Sequence, residues 1–314
     1  MRTAGSGLRS IMSIGVSLAA ADETNYVDAI VTKAKQVAAD GVKSVWFGQR
    51  FDYDAAALAT VVGREVPELS VGTSAIPIFG RHPLLISNQA QTAQAATHGR
   101  FQLGLALGAK DLVEATFGLT YDRPVARLRE FLTVLRELFT TGSADFHGET
   151  VTAAPVLPTA LAGAQPPVPL LVAAMGPQAL RVTGELADGT LPYLAGPKTL
   201  ATEIVPAITA ASAVRPRVIA FVAGVVTADV EKARANALEQ MSFYERIPSY
   251  QRVIGLEGAT RAAELAVIGD EETIAAAVQR YFDAGATEVV FTQTNLGSDE
   301  DERRTWKLLG ELAG

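Results

Sequence analysis

Residues 69–83 read Leu-Ser-Val-Gly-Thr-Ser-Ala-Ile-Pro-Ile-Phe-Gly-Arg-His-Pro, and this stretch decides the fold. It opens as a strand, with Leu69, Val71 and Thr73 on one face and Ser70 and Gly72 on the other. It then loses bulk: Gly72, Ser74 and Ala75 are small, and Pro77 keeps Ile76 extended. A strand that turns small at its C-terminal end lets another body approach the backbone. Arg81-His82-Pro83 leads straight into an apolar helix, LLISNQAQTAQAA. Strand, small-sided turn and helix form the repeating unit of an α/β protein.

The unit recurs on both sides. Strands are expected over Ile11–Leu18, Val42–Gly48, Leu69–Ala75, Phe101–Leu107, Pro169–Ala173, Gly189–Leu194, Arg217–Val225 and Thr287–Thr292, each followed by a helical pattern. Short buried strands rich in Val, Leu and Ala, alternating with helices, imply a parallel sheet covered by helices. Eight units close most simply into a (β/α)8 TIM barrel, here with insertions at residues 142–167 and 246–266, which are expected to shape a substrate pocket. A doubly wound open sheet is the alternative, but it calls for a division into halves that the chain does not show. Residues 1–314 are therefore expected to form one domain. Residues 1–9 resemble a tail, and GSGLRS at 5–10 lacks the preceding strand that a dinucleotide fingerprint needs.

Composition narrows the chemistry. The 314 residues are 48% hydrophobic and 19% charged, enough for a large core, and contain no cysteine, which removes disulfides and thiolate metal sites. His82, His98 and His147 show no ligand spacing, so no metal is expected. A net charge of −7 argues against nucleic acid, and no apolar run reaches the length of a membrane span. The N-terminal apolar stretch is broken by Ser13, Gly15 and Ser17, which suits a strand better than a signal peptide; a cytoplasmic protein is expected.

Active sites of such barrels lie where the strands end. After strand two stand Gln49 and Arg50; after strand three, Ser74, Ala75 and Arg81; after strand four, Gly108, Ala109 and Lys110. After strand five come Ala174, Met175, Gly176 and Pro177, and after strand six Tyr193, Gly196 and Lys198. The small rim on strands three to five suits a broad flat ligand lying against backbone. Gly176-Pro177-Gln178-Ala179 places glycine at a turn and proline at the first helical position, leaving N–H groups free for phosphate. Gly108-Ala109-Lys110 is a second such turn with an adjacent cation. Trp46 is read as barrel filling and His82 as a hydrogen-bonding residue rather than a base.

Four segments, SAIPIFGRHP, GRFQLGLALG, FHGETVTA and VAAMGPQALRVTGELADG, in this order and spacing, resemble the bacterial luciferase-like family, and more closely its coenzyme F420-dependent oxidoreductases. The resemblance implies a (β/α)8 barrel, a homodimer, and hydride transfer between a deazaflavin and a small organic substrate. It also implies a non-proline cis peptide at Ser74–Ala75 against the back of the tricyclic ring. The cofactor would then meet Gln49, Thr73, Ser74 and Ala75, with its phosphate on Gly108, Ala109 and Lys110 and on Ala174, Met175, Gly176, Pro177 and Gln178. Several F420 enzymes carry an acid or a histidine at the strand-two rim; here Gln49 and Arg50 stand there, and arginine stays protonated. Gln49 could bond the ring edge, leaving Tyr193, Lys198 or water to move the proton. Three other readings stay open: an FMN-dependent monooxygenase on the same barrel, a flavin- or deazaflavin-binding protein without turnover, and, more weakly, a phosphosugar enzyme.

Overall fold

The computed structural model describes residues 13–20 and 24–314. Its eight barrel strands are β1 (Ser13–Ser17), β2 (Ser44–Phe47), β3 (Ser70–Thr73), β4 (Phe101–Ala106), β5 (Leu170–Val172), β6 (Gly189–Thr190), β7 (Arg217–Val226) and β8 (Glu288–Thr292). Each pairs in parallel with the next, and β8 pairs with both β7 and β1, so the sheet closes into the expected (β/α)8 barrel. The expected tail, the GSGLRS segment, the start of strand one and the first residues of the helix read from Asp22 lie outside the described residues.

Helices begin where polar side chains can take their free N–H groups. Asn25, Asp54, Asp229, Asp270 and Ser298 each accept from the first turn of the helix they precede. His82 does the same through Nδ1, which accepts from Leu84 N at 3.2 Å, while Nε2 lies 2.9 Å from the Thr152 carbonyl oxygen and donates to it. Those two contacts give the ring a structural role, as its position in the sequence suggests.

Trp46 fills the middle of the barrel. Gly72 and Gly15 make room for it: a Cβ on Gly72 would sit 2.4 Å from the indole, and one on Gly15 would sit 3.3 Å from its Nε1. Leu171, Leu191, Ile219, Phe221 and Val290 complete this layer. Below it the buried Glu288 carboxylate accepts from Ser44 Oγ (2.6 Å), Trp46 Nε1 (3.2 Å) and Arg217 Nη2 (3.0 Å).

The strands depart from the expected boundaries in two informative places. β3 does not run on to Ala75: its ladder stops at Thr73, the Ser74–Ala75 peptide is cis, and pairing to β4 resumes at Ile76–Pro77. β6 is a continuous strand only over Gly189–Thr190 rather than six residues: Pro192 has no N–H to donate, its carbonyl accepts from Phe221 N, and pairing resumes as a single bridge between Tyr193 and Phe221.

The insertions also differ from each other. Residues 142–167 form a hairpin, Phe146–His147 with Thr152–Ala153, and a loop with a cis Gln165–Pro166 bond that runs down the helix Pro83–Ala96. They line none of the cavities at the barrel mouth, contrary to the expectation that they shape the substrate pocket. Residues 246–266 hold a ten-residue helix, Pro248–Glu257, with proline at its start and the left-handed Gly258 at its end. This segment does lie over the mouth.

Candidate active site

Small residues at the strand ends make a floor. Ser17 from β1, Gly48 after β2, Ser74 and Ala75 after β3, Ala106 from β4 and Ala173 after β5 line one cavity of about 530 Å³. The size is that of a small-molecule site. The other strands supply a wall: Tyr193 after β6, Phe221 on β7, and Thr292 and Gln293 at the end of β8. The Tyr193 hydroxyl donates to Gln293 Oε1 at 3.0 Å, and Thr292 Oγ1 donates to the same oxygen. Both sides of this pair are held by unusual backbone, since Leu194 (φ 57°) and Gln293 (φ 46°) are left-handed without being glycine.

Tyr250 from the second insertion and Tyr244 from the turn Ser242–Arg246 just before it cover the wall. The rings of Tyr193, Tyr244 and Tyr250 meet edge to face at 5.0, 5.1 and 5.9 Å. Burial raises the pKa of all three phenols, and the neighbouring tyrosines add to the shift at Tyr193 and Tyr250. All three are neutral hydrogen-bonding groups at physiological pH.

A groove of about 540 Å³ adjoins this cavity and shares Ala106, Ala173, Tyr244 and Tyr250 with it. Gly108 and Ala109 enter it from one side, and Ala174, Met175, Gly176, Pro177 and Gln178 from the other. Both adjoining helices, Lys110–Phe117 and Pro177–Leu186, start without a side-chain cap, so their first N–H groups face an open groove. Tyr121 donates to the Gly108 carbonyl (3.1 Å), and Arg252 to that of Met175 (3.1 Å), which fixes the two turns. Lys110 lines the outer continuation of the groove together with Arg246.

Three of the residues singled out from sequence sit elsewhere. Gln49 spends its amide inside its own loop: Nε2 donates to the Arg50 and Tyr53 carbonyls (2.7 and 2.8 Å) and Oε1 accepts from Ala55 N (3.2 Å). It lines a separate cavity beside Phe51 and Phe79. Thr73 is fully buried, its hydroxyl accepting from Gly104 N and donating to Gly104 O, both at 2.9 Å. It locks β3 to β4 beneath the floor. Lys198 is exposed and lines none of the cavities at the mouth; its backbone N–H, with Thr199, donates to Glu257. The structure brings in Tyr244, Tyr250, Gln293, Ser17 and Gly48, which the sequence reading did not single out. Among the described residues no cluster of His, Asp and Glu could hold a metal, and no helix is long and apolar enough to cross a membrane.

Comparison with known proteins agrees with this geometry. An uncharacterized protein of Mycobacterium tuberculosis is 29% identical over 206 residues, covering 60% of this chain and 61% of its own length. The F420-dependent glucose-6-phosphate dehydrogenase 2 of Rhodococcus jostii is 28% identical over 257 residues, 74% of this chain and 75% of that one. Among solved structures, an F420-dependent secondary alcohol dehydrogenase in complex with an F420-acetone adduct superposes with a TM-score of 0.80 over 96% of this chain and 99% of that one, at 16% identity, which speaks for a shared fold. The family model for luciferase-like monooxygenases matches residues 10–288. With that match running through every barrel strand up to the first residue of β8, the chain belongs to the luciferase-like monooxygenase family.

Proposed function

We propose that this protein is a coenzyme F420-dependent oxidoreductase. The observation that carries the proposal is the small-sided floor across five adjacent strand ends, continuous with a groove flanked by two uncapped helix N-termini. The floor offers a planar ring backbone, methyl groups and the small hydroxymethyl side chains of Ser17 and Ser74, and the N–H groups of the two turns offer an anionic tail its partners. The relative from Rhodococcus, named for F420 dependence and matched over three quarters of its length, supports the same cofactor.

A bound deazaflavin would supply hydride transfer to or from a substrate carbon. The chain's own part is placement and shielding. Ser74, Ala75, Ala106 and Ala173 set the height of the ring, and Gly108–Lys110 and Gly176–Gln178 take the tail. Tyr244 and Tyr250 exclude water from above. Tyr193, kept neutral by burial, holds a proton at its hydroxyl beside Gln293.

Equilibrium dialysis of the purified protein against F420 and against FMN tests the reading. We expect micromolar retention of F420, with Ala106→Leu weakening it at least about tenfold at unchanged melting temperature, because the added carbons occupy the floor rather than the core. Retention of FMN in place of F420 would move the protein to the flavin-dependent branch of the family. Retention of neither ends the proposal.

A further inference from the structure

The wall of the cavity bears on the substrate. Among the described residues lining the cavity, Arg50 is the one charged side chain. It is already engaged at the exposed edge of the cavity: Nε and Nη2 donate to Asp52 at 2.9 and 2.8 Å, and the guanidinium lies over the Tyr26 and Tyr53 rings at 5.9 and 5.7 Å. Everything else that lines the space is neutral, its polar side chains including Tyr193, Tyr244, Tyr250, Gln293, Gln240 and Asn295. Burial raises the pKa of the three phenols and holds them un-ionised.

The polar groups are also oriented. Gln293 Oε1 is occupied by the Tyr193 and Thr292 hydroxyls, so its Nε2 is turned away from them and has no acceptor among the described residues. A left-handed backbone at Gln293 holds it in that position at the end of β8. The wall therefore presents an N–H donor set in aromatic edges, and no cation.

We infer that the substrate is an uncharged compound with a compact ring or hydrocarbon body and an acceptor oxygen, taken by the Gln293 amide, and that the site rejects phosphorylated compounds; the inference rests on the protein being an F420-dependent oxidoreductase. An anion against this wall would leave water for neutral groups only, the one cation at the cavity's edge being paired with Asp52, and apolar and neutral walls do not offset that loss. A sugar phosphate, the substrate in the name of the Rhodococcus relative, is on this reading not the substrate of this chain.

The experiment compares cyclohexanone with cyclohexyl phosphate and glucose 6-phosphate. Binding is read by saturation-transfer NMR and competition on the F420-loaded protein and on the unloaded one. F420 retention is measured separately on the same sample by dialysis, so failure of the cofactor proposal shows there and not in the ranking of the probes. We expect cyclohexanone to bind at least about tenfold tighter than either phosphate. Gln293→Leu, which should fold with a lowered melting temperature because the Tyr193 and Thr292 hydroxyls lose their acceptor, should abolish that preference, and Asn295→Lys, a cation placed at the exposed edge of the cavity, should bring in the phosphates at unchanged melting temperature. Binding of either phosphate on a par with cyclohexanone overturns the inference, and so does absence of cyclohexanone binding by the folded protein.

Discussion

Replacing Gly104 with alanine tests whether the floor depends on two strands packed without side chains between them. A Cβ at Gly104 would lie 1.9 Å from the Thr73 carbonyl oxygen and 2.5 Å from Leu191 Cδ1. An ordinary carbon–oxygen contact needs about 3.3 Å, so roughly 1.4 Å must be found between β3 and β4. Leu191 can turn, but the Thr73 oxygen is main chain and cannot. Opening the strands by that amount breaks the two hydrogen bonds between Thr73 Oγ1 and Gly104. At about 1 kcal/mol for each bond, and about 1–3 kcal/mol for overpacking, the loss is about 3–5 kcal/mol. For a chain of this length that is a fall of roughly 5–8 °C in melting temperature. Since Thr73 precedes the Ser74–Ala75 bond, F420 retention should fall with it. Gly176→Ala is the control: its Cβ would meet nothing within 4 Å and its φ is −88°, so it should cost no more than about 0.5–1 kcal/mol, the scale of a helix N-cap change. Calorimetry and dialysis on the two variants decide the matter. If Gly104→Ala melts within about 2 °C of the parent and still holds F420, the account of the floor is wrong.

The buried polar groups give two further outcomes. Arg217→Met leaves the Glu288 carboxylate buried without its cation and should destabilise by about 3 kcal/mol in urea titration, while Glu288→Gln, which strands only a partly exposed arginine, should cost less. The tyrosine cluster predicts alkaline lability. Tyr193, Tyr244 and Tyr250 have pKa values raised above the unfolded value of about 10, so their contribution is complete below pH 10 and is lost as pH rises through the folded values, by up to about 1.4 kcal/mol per pH unit for each phenol. Urea midpoints between about pH 8 and 11 should fall more gently for Tyr193→Phe than for the parent; equal slopes would refute the assignment.

The eight-fold alternation could be read because each barrel strand is buried on both faces and reads as an apolar run, while each helix has its own period. The two anion-friendly turns could be read because glycine, proline and a following apolar period leave few other conformations. What closure brings together was harder to see. Tyr193 and Gln293 are 100 residues apart and meet only through the barrel. Ser17 and Gly48 each contribute one small residue to the floor, and a single small residue at a strand end carries no signal by itself. The helix Pro248–Glu257 buries little beyond Val253 and Ile254, so its apolar stripe is too short to stand out, although Pro248 and Gly258 marked its ends. Gln49 stood at a rim position, but a rim position does not fix where a flexible amide points. It found three backbone partners in its own loop.

A floor without side chains needs a solid layer beneath it, and one residue supplies most of that layer on the bare side. The interior of β1, β3 and β4 is glycine at mid-height, Gly15, Gly72 and Gly104, while β5 to β8 contribute Leu171, Leu191, Ile219, Phe221 and Val290. Trp46 on β2 fills the space that Gly15 and Gly72 vacate, while Gly104 lies against the Thr73 main chain and Leu191. Its indole meets Phe221 edge to face at 5.7 Å, and its Nε1 is held by Ser44 and Glu288 at 3.1 and 3.2 Å. The Glu288 carboxylate is held in turn by Arg217 at the barrel's lower end. The ionic network thus anchors the indole, the indole closes the barrel, and the strand ends above it can lose their side chains without opening a pore. Bulk is moved from the top of five strands to one aromatic residue a layer below. The packing given up at the top is what a planar ligand would restore.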